Sequence, residues 1–87
     1  MKQLILLYGD NCGYCKKAKM LLQRALHTHP EFLLVDIRYL SEPDEEAASL
    51  KHQLIPAFFC DGTLFFEGNP DMDIVLGALR CCMENGK

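Results

Sequence analysis

The chain predicts an α/β fold with the element order β-α-β-α-β-β-α and a four-stranded mixed sheet flanked by helices. Three observations carry that expectation. Short runs of branched and aromatic residues alternate with stretches whose apolar residues recur at helical spacing. Two of the apolar runs, "AFFC" and "TLFFEG", are joined only by Asp61-Gly62, a hairpin signal. A length of 87 residues leaves room for one core, and so for one domain over residues 1–87.

The elements follow in order. "QLILLYG" is a short apolar run closed by Gly9 and reads as a buried strand. From Cys15 onward, Cys15, Ala18, Leu22, Ala25 and Leu26 form a helical stripe, with Lys16, Lys17, Gln23 and Arg24 elsewhere. A first helix therefore runs from the cysteine pair to near His27, with Pro30 as its stop. "FLLVDIRYL" reads as the second strand. "SEPDEEAASLKHQL" places Pro43 and four acids early and Lys51 and His52 late, which suits the helix dipole and predicts a second helix. After the hairpin, Asn69-Pro70 is expected to cap a final helix with Ile74, Val75, Ala78, Leu79 and Cys82 on one face, and Met72 and Met83 fit its stripe. Strands one and two, joined through a helix, should be parallel, and strands three and four antiparallel.

Composition narrows the function classes. Hydrophobic content of 49% and charged content of 24% are those of an ordinary soluble globular domain. A net charge of -3 and a pI near 5.5 weigh against nucleic acid or an anionic membrane surface as partner. The run Leu4–Tyr8 is too short to span a bilayer and lacks a small-residue cleavage site, so a cytoplasmic location is expected; the chain is also expected to be a monomer. Five cysteines are an odd number, and without a secretory signal they do not read as a disulfide framework. A structural zinc would need a second ligand pair. Cys60 stands alone, Cys81 and Cys82 are adjacent, and His27 and His29 are two apart, so no metal site is expected.

The chemistry lies in "YGDNCGYCKKAK". A C-x-x-C at a strand-to-helix junction places Cys12 at a helix N-terminus, where unpaired N–H groups and the positive dipole end favour a thiolate. Lys16 and Lys17 add positive charge. Cys15 falls one turn later, within reach of Cys12. That arrangement provides an exposed nucleophile and a more enclosed resolving thiol, against the plainer reading of two unreactive helix cysteines. Tyr14 between them either shields the sulfurs, stacks on a substrate, or is a surface aromatic. Cys60 reads as a small core residue, and Cys81 and Cys82 as a packed helix end.

"CGYCKKAKMLL" resembles the glutaredoxin active-site segment, and the chain from about Leu4 to Met83 is similar to the thioredoxin-fold superfamily. "LIPAFF" matches the position of that family's cis-proline. The resemblance implies a thioredoxin-like fold, a cis Ile55-Pro56 bond facing the cysteines, and an Ile55 backbone that pairs with an extended thiol substrate. The chain has Asn11 where thioredoxins carry Trp, Gly13 where dithiol glutaredoxins usually carry Pro, and Gly9 where many glutaredoxins carry Lys. "EGNPDMD" matches the family's Gly-Gly and acidic pair only in part. Gly68 and the following helix start remain as an anion site, with Lys16 supplying charge from the other side and the acids alternatively serving as caps.

The function implied is that of a small thiol–disulfide oxidoreductase reducing protein or glutathione mixed disulfides, with Cys12 attacking and Cys15 resolving. Its partners would be disulfide-containing proteins or glutathione, and its electron donor glutathione or a reductase. No tightly bound cofactor is implied, with glutathione as co-substrate. Two other readings stand beside it: an iron–sulfur cluster held between two chains by Cys12 and glutathione, and a non-catalytic thioredoxin-fold module that docks on a partner.

Overall fold

Leu4, Ile5, Leu6 and Leu7 of strand β1 (Gln3–Tyr8) are all buried. Side chains alternate between the two faces of a strand, so four consecutive buried residues require cover on both faces. The computed structural model, which describes residues 2–83, sets β1 inside a four-stranded sheet ordered β2-β1-β3-β4, whose two faces are covered by separate cores. Strand β2 (Asp36–Ser41) pairs parallel to β1, β3 (Ala57–Cys60) pairs antiparallel to β1, and β4 (Thr63–Glu67) pairs antiparallel to β3. The mixed sheet and its strand directions agree with the sequence expectation.

Helices α1 (Gly13–Thr28) and α2 (Met72–Met83) both lie on one face of this sheet. Leu4 and Leu6 enter the larger core there with Leu21 and Leu22 of α1, Val75 and Leu79 of α2, and Phe58 of β3. Ile5 and Leu7 turn to the other face and a smaller core of Leu40, Ala47, Ala57 and Phe59, edged by Leu50 and Ile55. Among the described residues no α-helix covers this second face; Ala47 comes from a short 3-10 helix, Glu45–Ser49. Among the described residues no helix is long and apolar enough to cross a membrane.

Two expected elements are corrected. "FLLVDIRYL" is not one strand: Pro30–Leu34 forms a 3-10 helix, and β2 begins only at Asp36. Pro30 suits a first helical turn. Phe32 and Val35 are buried while Leu33 and Leu34 are exposed, a three-residue repeat matching 3-10 geometry. The six residues of β1 also bound its parallel partner, whose register runs from Gln3↔Asp36 to Tyr8↔Ser41. Second, "SEPDEEAASLKHQL" contains no α-helix, only a 3-10 turn at Glu45–Ser49. Ala47 is its one buried residue, and a short helix without a broad apolar face to bury is marginal. Its acids act across the chain instead. Arg38 of β2 donates to both carboxylate oxygens of Glu46 at 2.6 and 2.8 Å.

The hairpin forms as the Asp-Gly signal requires. Asp61 (φ 54°) and Gly62 (φ 84°) both take positive φ, the pattern of the two-residue turn that matches strand twist. A bulge then lets β4 present Phe66 opposite Phe58 and Leu64 opposite Phe59, with Phe65 as the extra residue. Phe65 packs on α2 at Gly77, where a Cβ would lie 3.2 Å from its ring.

The start of α2 is also corrected. Asn69-Pro70 does not cap it; the Asp71 carboxylate accepts the Ile74 N–H at 2.9 Å. Pro70 is buried and Asn69 accepts from Lys17 Nζ at 3.0 Å, which ties the loop before α2 to α1. Replacing Asp71 by Ala should therefore cost about 1 kcal/mol of stability in urea unfolding, with Asp71→Ser recovering most of it and Asn69→Ala having less effect.

Candidate functional site

The end of β1 sets the site. The chain leaves Tyr8, turns at Asp10-Asn11 and enters α1 at Gly13. Asn11 adopts φ 54°, a left-handed conformation that Asn tolerates better than most residues. This is a use for Asn11 that no pattern in the sequence indicated. Cys12 is the N-cap of α1, with extended backbone, and its Sγ accepts the Cys15 N–H at 3.1 Å. Its carbonyl accepts the Lys16 N–H at 3.2 Å.

Cys12 and Cys15 form a disulfide, their Cα atoms 5.1 Å apart. The two sulfurs have different surroundings. Cys15 is 2% exposed, Cys12 only partly buried, and Tyr14 between them is 53% exposed. One sulfur thus lies near solvent at the positive end of a helix, and the other is enclosed by the protein. The Gly9 N–H points at Cys15 Sγ at 3.5 Å, a contact within the looser range of sulfur acceptors.

Gly9 also brings the second motif to the cysteines. A Cβ on Gly9 would lie 2.6 Å from Ile55 Cδ1, so Ile55 packs directly on the glycine whose N–H faces Cys15. The Ile55-Pro56 bond is cis and Pro56 is buried, leading into β3. The approach to it is held by hydrogen bonds from the far side. The Pro56 carbonyl accepts the Gly68 N–H at 2.9 Å. Glu67 Oε1 accepts the backbone N–H of Gln53 at 2.8 Å and of Leu54 at 3.1 Å, and these two donors hold the Glu67 carboxyl below the usual carboxylate range.

Cys12, Cys15 and Ile55 are therefore brought together, through Gly9. Tyr14 and Lys16 stand exposed on the first turn of α1. Gly68 lies on the connection after β4, with φ +103° and its N–H already engaged by Pro56, and α2 begins only at Met72. Of the acids, Asp71 serves as the cap of α2 and Asp73 lies in its first turn. The sequence reading missed Gly9 as the joint of the site, and missed Glu67 as the anchor of residues 53 and 54. Lys19 Nζ sits 3.6 Å from the centre of the Tyr8 ring and covers the end of β1. Among the described residues, no three His, Cys, Asp or Glu side chains gather in a way that could hold a metal ion.

His52 belongs to this approach segment and not to a helix end. Its Nδ1 faces the Leu50 carbonyl at 2.7 Å and its Nε2 faces Glu42 Oε2 at 3.2 Å. The Leu50 carbonyl, then Glu42, favour the doubly protonated ring and raise the His52 pKa against the opposing effect of burial.

No known family model matches this chain, and no curated protein matches it.

A raised folded-state pKa means that the protonated ring stabilises the fold fully below the unfolded-state pKa. That contribution is lost as pH rises through the folded-state value. A proton-detected NMR titration should accordingly place His52 above the ordinary imidazole range, and Glu42→Gln should lower its midpoint while retaining the Leu50 contact.

Proposed function

We propose that this protein is a cytoplasmic, glutaredoxin-like thiol–disulfide oxidoreductase of the thioredoxin fold, acting on protein disulfides or glutathione mixed disulfides. The observation that carries the reading is the unequal pair at the start of α1: a partly accessible Cys12 at the N-cap, and an enclosed Cys15 one turn on, joined as a disulfide. The mixed sheet with both helices on one face, and the cis Ile55-Pro56 bond with Ile55 packed on Gly9, support the same fold assignment.

In the reduced protein the unpaired N–H groups of the first turn and the helix dipole favour a thiolate on Cys12. That thiolate attacks one sulfur of the substrate disulfide. A bond forms between Cys12 and the substrate, the substrate S–S bond breaks, and the departing thiolate takes up a proton. Cys15 then loses its proton and attacks Cys12 Sγ, releasing the second substrate thiol and leaving the Cys12–Cys15 disulfide. Two electrons have passed to the substrate, and glutathione or a reductase returns them. Ile55, held on Gly9 next to Cys15, offers its backbone to an extended substrate, while Tyr14 and Lys16 flank the accessible sulfur.

Two variants test this. A mixed disulfide between Cys12 and glutathione can be cleared by a second glutathione, so that route needs one protein thiol. A protein disulfide traps Cys12 unless Cys15 attacks internally, so that route needs both. Cys12→Ser should reduce both activities to the uncatalysed rate, whereas Cys15→Ser should keep deglutathionylation and lose protein-disulfide reduction. Loss of both activities in Cys15→Ser, with a wild type that accepts electrons from a thioredoxin-type reductase, would reject the glutaredoxin-like assignment. Full activity in Cys12→Ser would reject the site.

A further inference from the structure

The other three cysteines gather at the opposite end of the sheet. Cys60 closes β3 and pairs with Leu4 near the start of β1, whereas the Cys12–Cys15 pair follows the end of β1. Cys82, in the last turn of α2, directs its Sγ–H at Cys60 Sγ across 3.0 Å, and both side chains are buried. That separation is about 1 Å longer than a disulfide bond of ~2.05 Å. Cys60 and Cys81 also line a cavity of about 270 Å³ together with Lys2, Asp61, Thr63 and Phe65. Cys60 is thus reachable from the cavity at 6% exposure, while Cys82 behind it is fully enclosed at 0%.

We propose that Cys60 and Cys82 form a second dithiol, oxidised to an intramolecular disulfide by low-molecular-weight disulfides that enter this cavity. Cys60, after loss of its proton, attacks one sulfur of the small disulfide, and the other half leaves as a thiol. Cys82 then loses its proton and attacks Cys60 Sγ, expelling the second half as a thiol. The Cys60–Cys82 bond forms, the protein gives up two electrons and two protons, and one small disulfide becomes two thiols. Burial raises the pKa of both Cys60 and Cys82, opposed by hydrogen bonding to a neighbouring thiol and less by Lys2, so exchange here is slow beside that at a helix N-terminus. The bond would staple β3 to the last turn of α2 across 22 sequence positions. The fully reduced chain would then hold four transferable electrons. None of this depends on the activity assigned to Cys12 and Cys15.

Glutathione disulfide and 2-hydroxyethyl disulfide serve as probes, applied to the full chain as wild type and as the Cys12→Ser/Cys15→Ser variant, which silences the first pair. Alkylation and peptide mapping by mass follow. The expected result is a Cys60–Cys82 linked peptide in both proteins and two small thiols released per chain of the double variant. Cys81→Ser should give the same linkage. Oxidation should lower the unfolded population by about 300-fold, as expected for closing a loop of this length, read by hydrogen exchange in α2. Cys60 and Cys82 remaining fully alkylatable after exhaustive oxidation would overturn the proposal. So would a stable small-molecule adduct at Cys81, a Cys81–Cys82 bond, or a cross-link between chains in place of the Cys60–Cys82 peptide. A wild type that shows only the Cys12–Cys15 bond would reject this second pair and leave the first intact.

Discussion

β1 is a strand buried on both faces, and the requirement to cover both of them organises the molecule. Leu4 and Leu6 demand an apolar layer on one side and Ile5 and Leu7 on the other. The helices meet the first demand, bringing Leu22 and Leu79 over the sheet. Because both neighbours of β1 form their full ladders with it, its six residues also set where β2 starts and where the chain must turn into α1. The cysteine pair sits where that turn is made, so its position follows from the length of this inner strand.

The two faces are held by different physics. Helices α1 and α2 bury broad apolar stripes, and hydrophobic burial of this kind is the dominant stabilising contribution in a small domain. The other face is crossed by residues 42 to 55 without an α-helix, contributing Ala47, Leu50 and Ile55 to the smaller core. Polar links fasten the rest: Arg38 to Glu46, His52 to Glu42, and Glu67 to two backbone N–H groups. Exposed ion pairs of this sort are worth little individually. The segment that carries Ile55 lies on this side, whereas Cys12 and Cys15 lie at the cap and first turn of α1.

The thiols are sorted along the same axis of the sheet. At one end a helix N-terminus and partial exposure favour a reactive sulfur; at the other, burial between β3 and α2 keeps Cys60 and Cys82 protonated. Identical side chains thus meet opposite surroundings at the two ends of the sheet.

Local chemistry in the sequence determined most of this arrangement. Asp61-Gly62 could make only a tight hairpin because few other residues accept positive φ at both central positions. The stripe through Cys15, Ala18, Leu22 and Ala25 fixed the buried face of α1, and the C-x-x-C before it placed Cys12 at the cap. What only the tertiary structure decided was whatever depends on a distant partner. Residues 32 to 34 read as strand, yet β1 is too short to pair with them; residues 41 to 54 read as helix, yet they have little apolar surface to bury. Gly9 read only as a strand end and a departure from the family pattern, and its close packing against Ile55, remote in sequence, came from the fold. Cys60 and Cys82 each read as core residues, and their meeting across 22 positions is set by how α2 docks on β3. Turn chemistry and amphipathic period act within a few residues and are legible in order along the chain, whereas strand length, face coverage and sulfur–sulfur distance are properties of packing.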